Sequence, residues 1–151
     1  MALYIETKVR YDKTQENGSI KKVNEPYLVD ALSFTEAEAR IIEEMTPFIS
    51  GDFTVSAVKK TKISEIFRGE GDRWYMVKVN YLNLNEKTGA IKKTASYILV
   101  QAFTFRDALN KFDEGMKGTV ADYEIAALSD TEIMDVYPAK LSPKSTEDNP
   151  E

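Results

Sequence analysis

Apolar and polar residues alternate at the start of the chain. Leu3, Ile5, Thr7, Val9 and Tyr11 fall on one parity, and Tyr4, Glu6, Lys8 and Arg10 on the other. That two-residue period predicts a half-buried strand. The polar stretch 12–18 ends in Asn17-Gly18 and reads as a hairpin loop longer than the tightest type. A second strand follows over about 20–32. Pro26 within it cannot donate a ladder hydrogen bond, so it predicts a bulge or an edge position.

The period then changes. Ser33-Phe34-Thr35-Glu36 has the form of a capping box, with Ser33 accepting from the amide three residues on and Glu36 reaching back. Leu32 is placed to pack on Ala37 as a staple. Phe34, Ala37, Ile41 and Met45 recur at helical spacing, while Glu36, Glu38, Arg40, Glu43 and Glu44 mostly face out. Pro47 prevents the helix from continuing. A third strand is predicted over 52–60, and the piece 63–67 is either a strand or one helical turn.

The second half of the chain repeats this plan. Shifting 28–45 by 71 positions onto 99–116 gives 7 identities in 18, where composition alone would give about one. Lys8-Val9-Arg10-Tyr11 answers to Lys78-Val79-Asn80-Tyr81, and Gly18-x-Ile20-Lys21-Lys22 to Gly89-x-Ile91-Lys92-Lys93. Downstream, Phe53, Val55, Ala57, Thr61 and Ile63 stand over Tyr123, Ile125, Ala127, Thr131 and Ile133. The second half is thus predicted as strands over 74–82 and 90–103, a helix capped by Thr104, a strand over 120–128 and a short piece over 133–137. The inward stripe of that helix is Phe105, Ala108, Leu109, Phe112 and Met116, with Gly115 and Gly118 closing it.

The fold class expected is α+β: an internal duplication of a ββαβ unit, with antiparallel sheet and one helix per unit, related by a pseudo-two-fold axis. The first repeat covers 1–68, the second 73–140, and 141–151 is a tail with no aliphatic or aromatic residue after Leu141 that should be flexible. Gly69-Glu70-Gly71-Asp72 is the short boundary. A unit of about 65 residues is marginal alone, so the halves are expected to share one core. They do so either as one continuous sheet or as two sheets packed face to face.

Composition narrows the chemistry. Cysteine and histidine are both absent. This removes disulfides, thiolate nucleophiles, the usual base near neutral pH and the commonest transition-metal ligand. No catalytic residue, cofactor or metal site is expected, and the carboxylates on the first helix read as a solvated face. Asp30 stands beside the helix start, but its repeat counterpart is Gln101. Gly69-x-Gly71 lacks a following helix and a lysine in register, so it is a linker rather than a phosphate loop. No apolar run reaches the roughly 18 residues of a membrane span. The start of the chain lacks a basic region followed by an apolar stretch, so no secretory signal is expected and the location predicted is cytoplasmic.

What remains is a surface. Tyr4, Lys8 and Arg10 on the first strand, and Trp74 and Lys78 on its counterpart, share the parity that faces away from the helices. Rings beside basic side chains on an open sheet suit single-stranded nucleic acid, which needs stacking and phosphate neutralisation. The same residues suit burial against the other half or against another subunit. A net charge of −5 disfavours indiscriminate binding to nucleic acid. The expectation is therefore a non-catalytic binding protein acting through an open sheet face or the groove between repeats. Its partner is a protein, with a second copy of itself included, and single-stranded nucleic acid is the alternative.

The segment Tyr27-Leu28-Val29-Asp30-Ala31-x-Ser33-Phe34-Thr35-Glu36-Ala37-Glu38, with Lys-Val-x-Tyr, Gly-x-x-Lys-Lys and Trp74-Tyr75-x-Val77-Lys78-Val79, carries a resemblance. Over about 3–140 the chain resembles an uncharacterised family of small proteins, a domain of unknown function found in Bacteroidetes and their phages and mobile elements. The resemblance brings no activity, cofactor or site residue. Its phage association implies nucleic-acid handling, interference with host proteins or a small assembly role.

Overall fold

A computed structural model describes residues 3–139. The tail expected over 141–151 lies outside the described residues. The described residues are α+β, with two helices and two four-stranded mixed sheets. In the first half, β1 (Tyr4–Thr14), β2 (Ile20–Asp30) and β3 (Phe53–Lys60) form antiparallel pairs, with α1 (Phe34–Met45) between β2 and β3. β4 (Ile63–Phe67) follows. In the second half β5 (Arg73–Leu84), β6 (Ile91–Ala102), α2 (Phe105–Gly115) and β7 (Asp122–Asp130) repeat that order, and β8 (Val136–Tyr137) ends it.

The last strand of each half joins the other half's sheet. β4 pairs in parallel with β6, placing Ile66 beside Leu99, and β8 pairs in parallel with β2, placing Val136 beside Leu28. The sheet orders are β3-β1-β2-β8 and β4-β6-β5-β7. The expectation of purely antiparallel sheets is corrected by this exchange, because a strand that crosses between sheets arrives in the same direction as its new neighbour. Segment 63–67 is a strand, not a helical turn.

The helix starts follow the sequence closely. Ser33 Oγ accepts from the Glu36 amide at 3.1 Å, and Glu36 in turn accepts from the Leu32 amide at 3.0 Å. Thr104 and Asp107 reproduce the arrangement, with Asp107 accepting from the Phe103 amide. That backbone bond, with Lys111 beside it, holds the Asp107 carboxyl below its usual range. Two expectations fail here. Leu32 is exposed rather than stapled on Ala37, and Phe34 lies outside the buried stripe of Ala37, Ile41 and Met45. Phe34 is left about half exposed. Phe105 is similarly exposed, although its ring lies 5.0 Å from that of Tyr75.

Each helix covers one face of its own sheet. Ala37, Ile41 and Met45 pack on Ile5, Val9, Tyr27 and Val29, while Ala108, Phe112 and Met116 pack on Val77, Val79, Ile98 and Val100. A third core lies between the sheets, where Leu28, Leu99, Ile63, Val136 and Trp74 meet, flanked by Tyr4, Ile66, Met76, Tyr97 and Ile133. The halves are therefore two stacked sheets, not one continuous sheet.

Pro26 fits this plan. The amide of Leu28 donates to Asp135 at 3.0 Å, on the side away from β1. Pro26, two residues earlier, turns its nitrogen to the same side, beyond the end of β8, so no ladder bond is lost. Its carbonyl still accepts from the Met134 amide at 2.8 Å. The bulge in this sheet lies elsewhere, between Lys8 and Val9 where β1 meets β3.

Candidate functional site

Side chains alternate across a strand, so β1 divides into two sets. Ile5 and Val9 face α1, whereas Tyr4, Glu6, Lys8 and Arg10 lie on the opposite face, where Tyr4 and Glu6 reach the space between the sheets. On β5, Val77 and Val79 face α2, and Trp74, Met76, Lys78 and Asn80 face the first sheet. Of the five residues singled out from the sequence, Tyr4 and Trp74 are at the inter-sheet core, Lys8 and Lys78 follow them along the same strand faces, and Arg10 is exposed, so the five do not form one open face.

Trp74 is 2% exposed and belongs to the inter-sheet core. The Arg68 guanidinium sits 5.7 Å from its ring centroid and donates to the Val136 carbonyl at 2.7 Å. Trp74 therefore offers no stacking surface, because it is apolar enough to be covered by the opposite sheet. Tyr4 is half-buried at the edge of the same core, and burial, with Asp30 nearby, raises its hydroxyl pKa against the opposing pull of Arg68. Lys8 and Lys78 are half-buried and Arg10 is exposed. None of these three cations makes an ion pair among the described residues.

The stacked sheets leave a cavity of about 260 Å³ between them. Its apolar lining is Leu28, Ile63, Met76 and Ile133, and Glu6, Lys60 and Lys62 bring charge to it. Ile63 and Ile133 are counterparts at a shift of 70, as are Glu6 and Met76, so the cavity straddles the relation between the halves. Lys8 and Lys78 follow Glu6 and Met76 on the same strand faces. Apolar floor and unpaired cations together can seat an apolar side chain whose neighbours carry carboxylates.

A second cavity, of about 350 Å³, lies between the C-terminal end of α1, the first sheet and β8. Sequence reading did not single it out. At its wall is Glu25, a buried carboxylate. Glu25 Oε1 accepts from the Tyr11 hydroxyl at 2.9 Å and from Tyr27 at 3.4 Å, and Lys13 Nζ stands 3.3 Å from Oε2. Burial, then the hydrogen bond and charge of Glu25, push the Tyr11 hydroxyl up to about 12. Tyr27 is raised as well, first by burial and then by Glu25. The signal was available: Glu25 sits on the inward parity of β2 between Val23 and Tyr27, where the pattern is otherwise apolar.

Among the described residues, no group of three or more acidic, histidine or cysteine side chains is placed to hold a metal ion. No helix there is long and apolar enough to cross a membrane. A family model described as a domain of unknown function (DUF4494) matches residues 3–139, and the chain belongs to that family. Comparison with curated proteins and with solved structures gives no match.

Proposed function

We propose that this member of a family of unknown function is a non-catalytic, cytoplasmic binding protein that takes a protein partner in the groove between its sheets. The two sheets are read as an internal duplication of one ββαβ unit, and the groove as the feature their union creates. The partner segment presents one apolar anchor flanked by acidic residues. The observation carrying this reading is the inter-sheet cavity, apolar at Leu28, Ile63, Met76 and Ile133 and edged by Lys60 and Lys62. A volume of about 260 Å³ suits one large side chain more than a whole cofactor. The unpaired Lys8, Arg10 and Lys78 extend the positive charge along the same faces. Burial of Trp74 counts against the stacking platform that single-stranded nucleic acid requires.

Selection of a random peptide library on the immobilised full chain tests the reading. Enrichment of apolar residues flanked by Asp or Glu, lost on a Lys60→Glu/Lys62→Glu variant, supports it. Basic peptides, or enrichment unaffected by the variant, would overturn it. Salt-sensitive binding of a mixed-sequence oligonucleotide in place of acidic peptides would favour the nucleic-acid alternative.

A further inference from the structure

The two halves act as an internal control on each other. Where the first half has Glu25, Tyr27, Ile41 and Phe53, the second has Ser96, Ile98, Phe112 and Tyr123. In the second half, aromatic rings fill the space beneath the helix. Phe112 lies 6.1 Å from both Phe67 and Tyr123, and Tyr123 lies 6.4 Å from Tyr81. In the first half a cavity of about 350 Å³ stands at the C-terminal end of the helix, lined there by Met45, Phe48 and Ile49. Its wall carries a carboxylate that has no counterpart in the second half.

We infer that this cavity binds a small organic amine, whose ammonium takes the place on Glu25 that Lys13 now fills. Three features support that ligand class. Glu25 is buried and already accepts two phenolic hydroxyls, so its remaining capacity is directed at the cation beside it. Asp135 adds a second acid to the lining, leaving Lys13 as the one basic side chain there. The exposed Phe48 supplies aromatic surface, which favours a cation with an apolar body, whereas the Tyr137 ring is stacked on Tyr27 at 6.1 Å and already has the Arg40 guanidinium 5.8 Å from its centroid. The Lys13 side chain is 47% exposed and can swing into solvent, whereas the Glu25 side chain is 11% exposed and cannot follow. A cavity of this size lies within the range of small-molecule sites.

Methyl-labelled full-length protein titrated with phenethylamine tests the site, with phenylacetate as the control of opposite charge. The expected result is saturable shifts at Met45, Ile49 and Met134 with the amine only. Lys13→Met removes the competing ammonium and should tighten binding about tenfold, the scale of one charge-assisted hydrogen bond. Glu25→Gln should abolish the shifts while the methyl signals of the second sheet stay in place. Should Glu25→Gln fail to fold, Lys13→Met decides. Equal binding of phenylacetate, or unchanged or weaker binding in Lys13→Met, would overturn the inference. This site shares no lining residue with the inter-sheet groove, so either can fail without the other.

Discussion

Thr131 donates to the backbone carbonyl of Trp74 twice, through its amide at 3.1 Å and its hydroxyl at 2.7 Å. Thr61 makes the same pair of bonds to Tyr4, at 3.2 and 2.7 Å. Each threonine stands at the point where the chain leaves one sheet for the other, and its hydroxyl also accepts from the amide two residues on. The crossings are thus tied down at the carbonyls of Tyr4 and Trp74, two of the three aromatic residues at the inter-sheet core.

Removing either hydroxyl should loosen a crossing without changing volume. Thr61→Val and Thr131→Val should each cost about 1 kcal/mol, the typical net worth of such a bond. Thr→Ser, which keeps the hydroxyl, should cost less. Urea unfolding midpoints of the four variants give the comparison. Valine variants no weaker than the serine ones would show that the hydroxyls do not hold the crossings.

Gly115 ends α2 where a Cβ would stand 2.6 Å from the Phe67 ring. Alanine at an exposed helical position ordinarily stabilises by up to about 1 kcal/mol. Here the sign should reverse, because Phe67 is held against Phe112 at 6.1 Å and overpacking costs roughly 1–3 kcal/mol. Gly115→Ala should lower the melting temperature, and Phe67→Leu should recover part of the loss. A stabilised single variant would mean that β4 does not reach α2.

Most local structure was legible because it is local. Ser33-x-x-Glu36 and Thr104-x-x-Asp107 cap their helices through contacts within four residues, and the hairpins turn at Gly18 and Gly89, both with positive φ. The exchange of β4 and β8 was not legible. Val136-Tyr137 is too short to show a period, and its partners Leu28 and Val29 lie in the other half of the chain. The same limit applied to Trp74: parity gave its face, but not the sheet that covers it. Glu25 was within reach, since a carboxylate on the inward parity of β2 needs partners, and Tyr11, Tyr27 and Lys13 supply them.

Alkaline pH should weaken the first half through its tyrosines. In the unfolded chain a tyrosine loses its proton near pH 10, whereas folded Tyr11 holds it to about 12. Between those values the unfolded state binds fewer protons, so stability falls as pH rises. Tyr27, also raised, acts in the same direction. Urea midpoints between pH 8 and 11 should fall more steeply for the wild type than for Tyr11→Phe. Parallel curves would show that Tyr11 is not held protonated by its surroundings.

The groove exists only if the sheets stack as described, and Trp74, the one tryptophan of the chain, reports on that directly. The decisive measurement is acrylamide quenching of its fluorescence in the native full-length protein. Stacked sheets predict a blue-shifted emission and weak quenching, with the contrast lost on unfolding in urea. Emission and quenching like those of free indole in the native state would mean that the sheets stand apart, and both the groove and the partner assigned to it would fall.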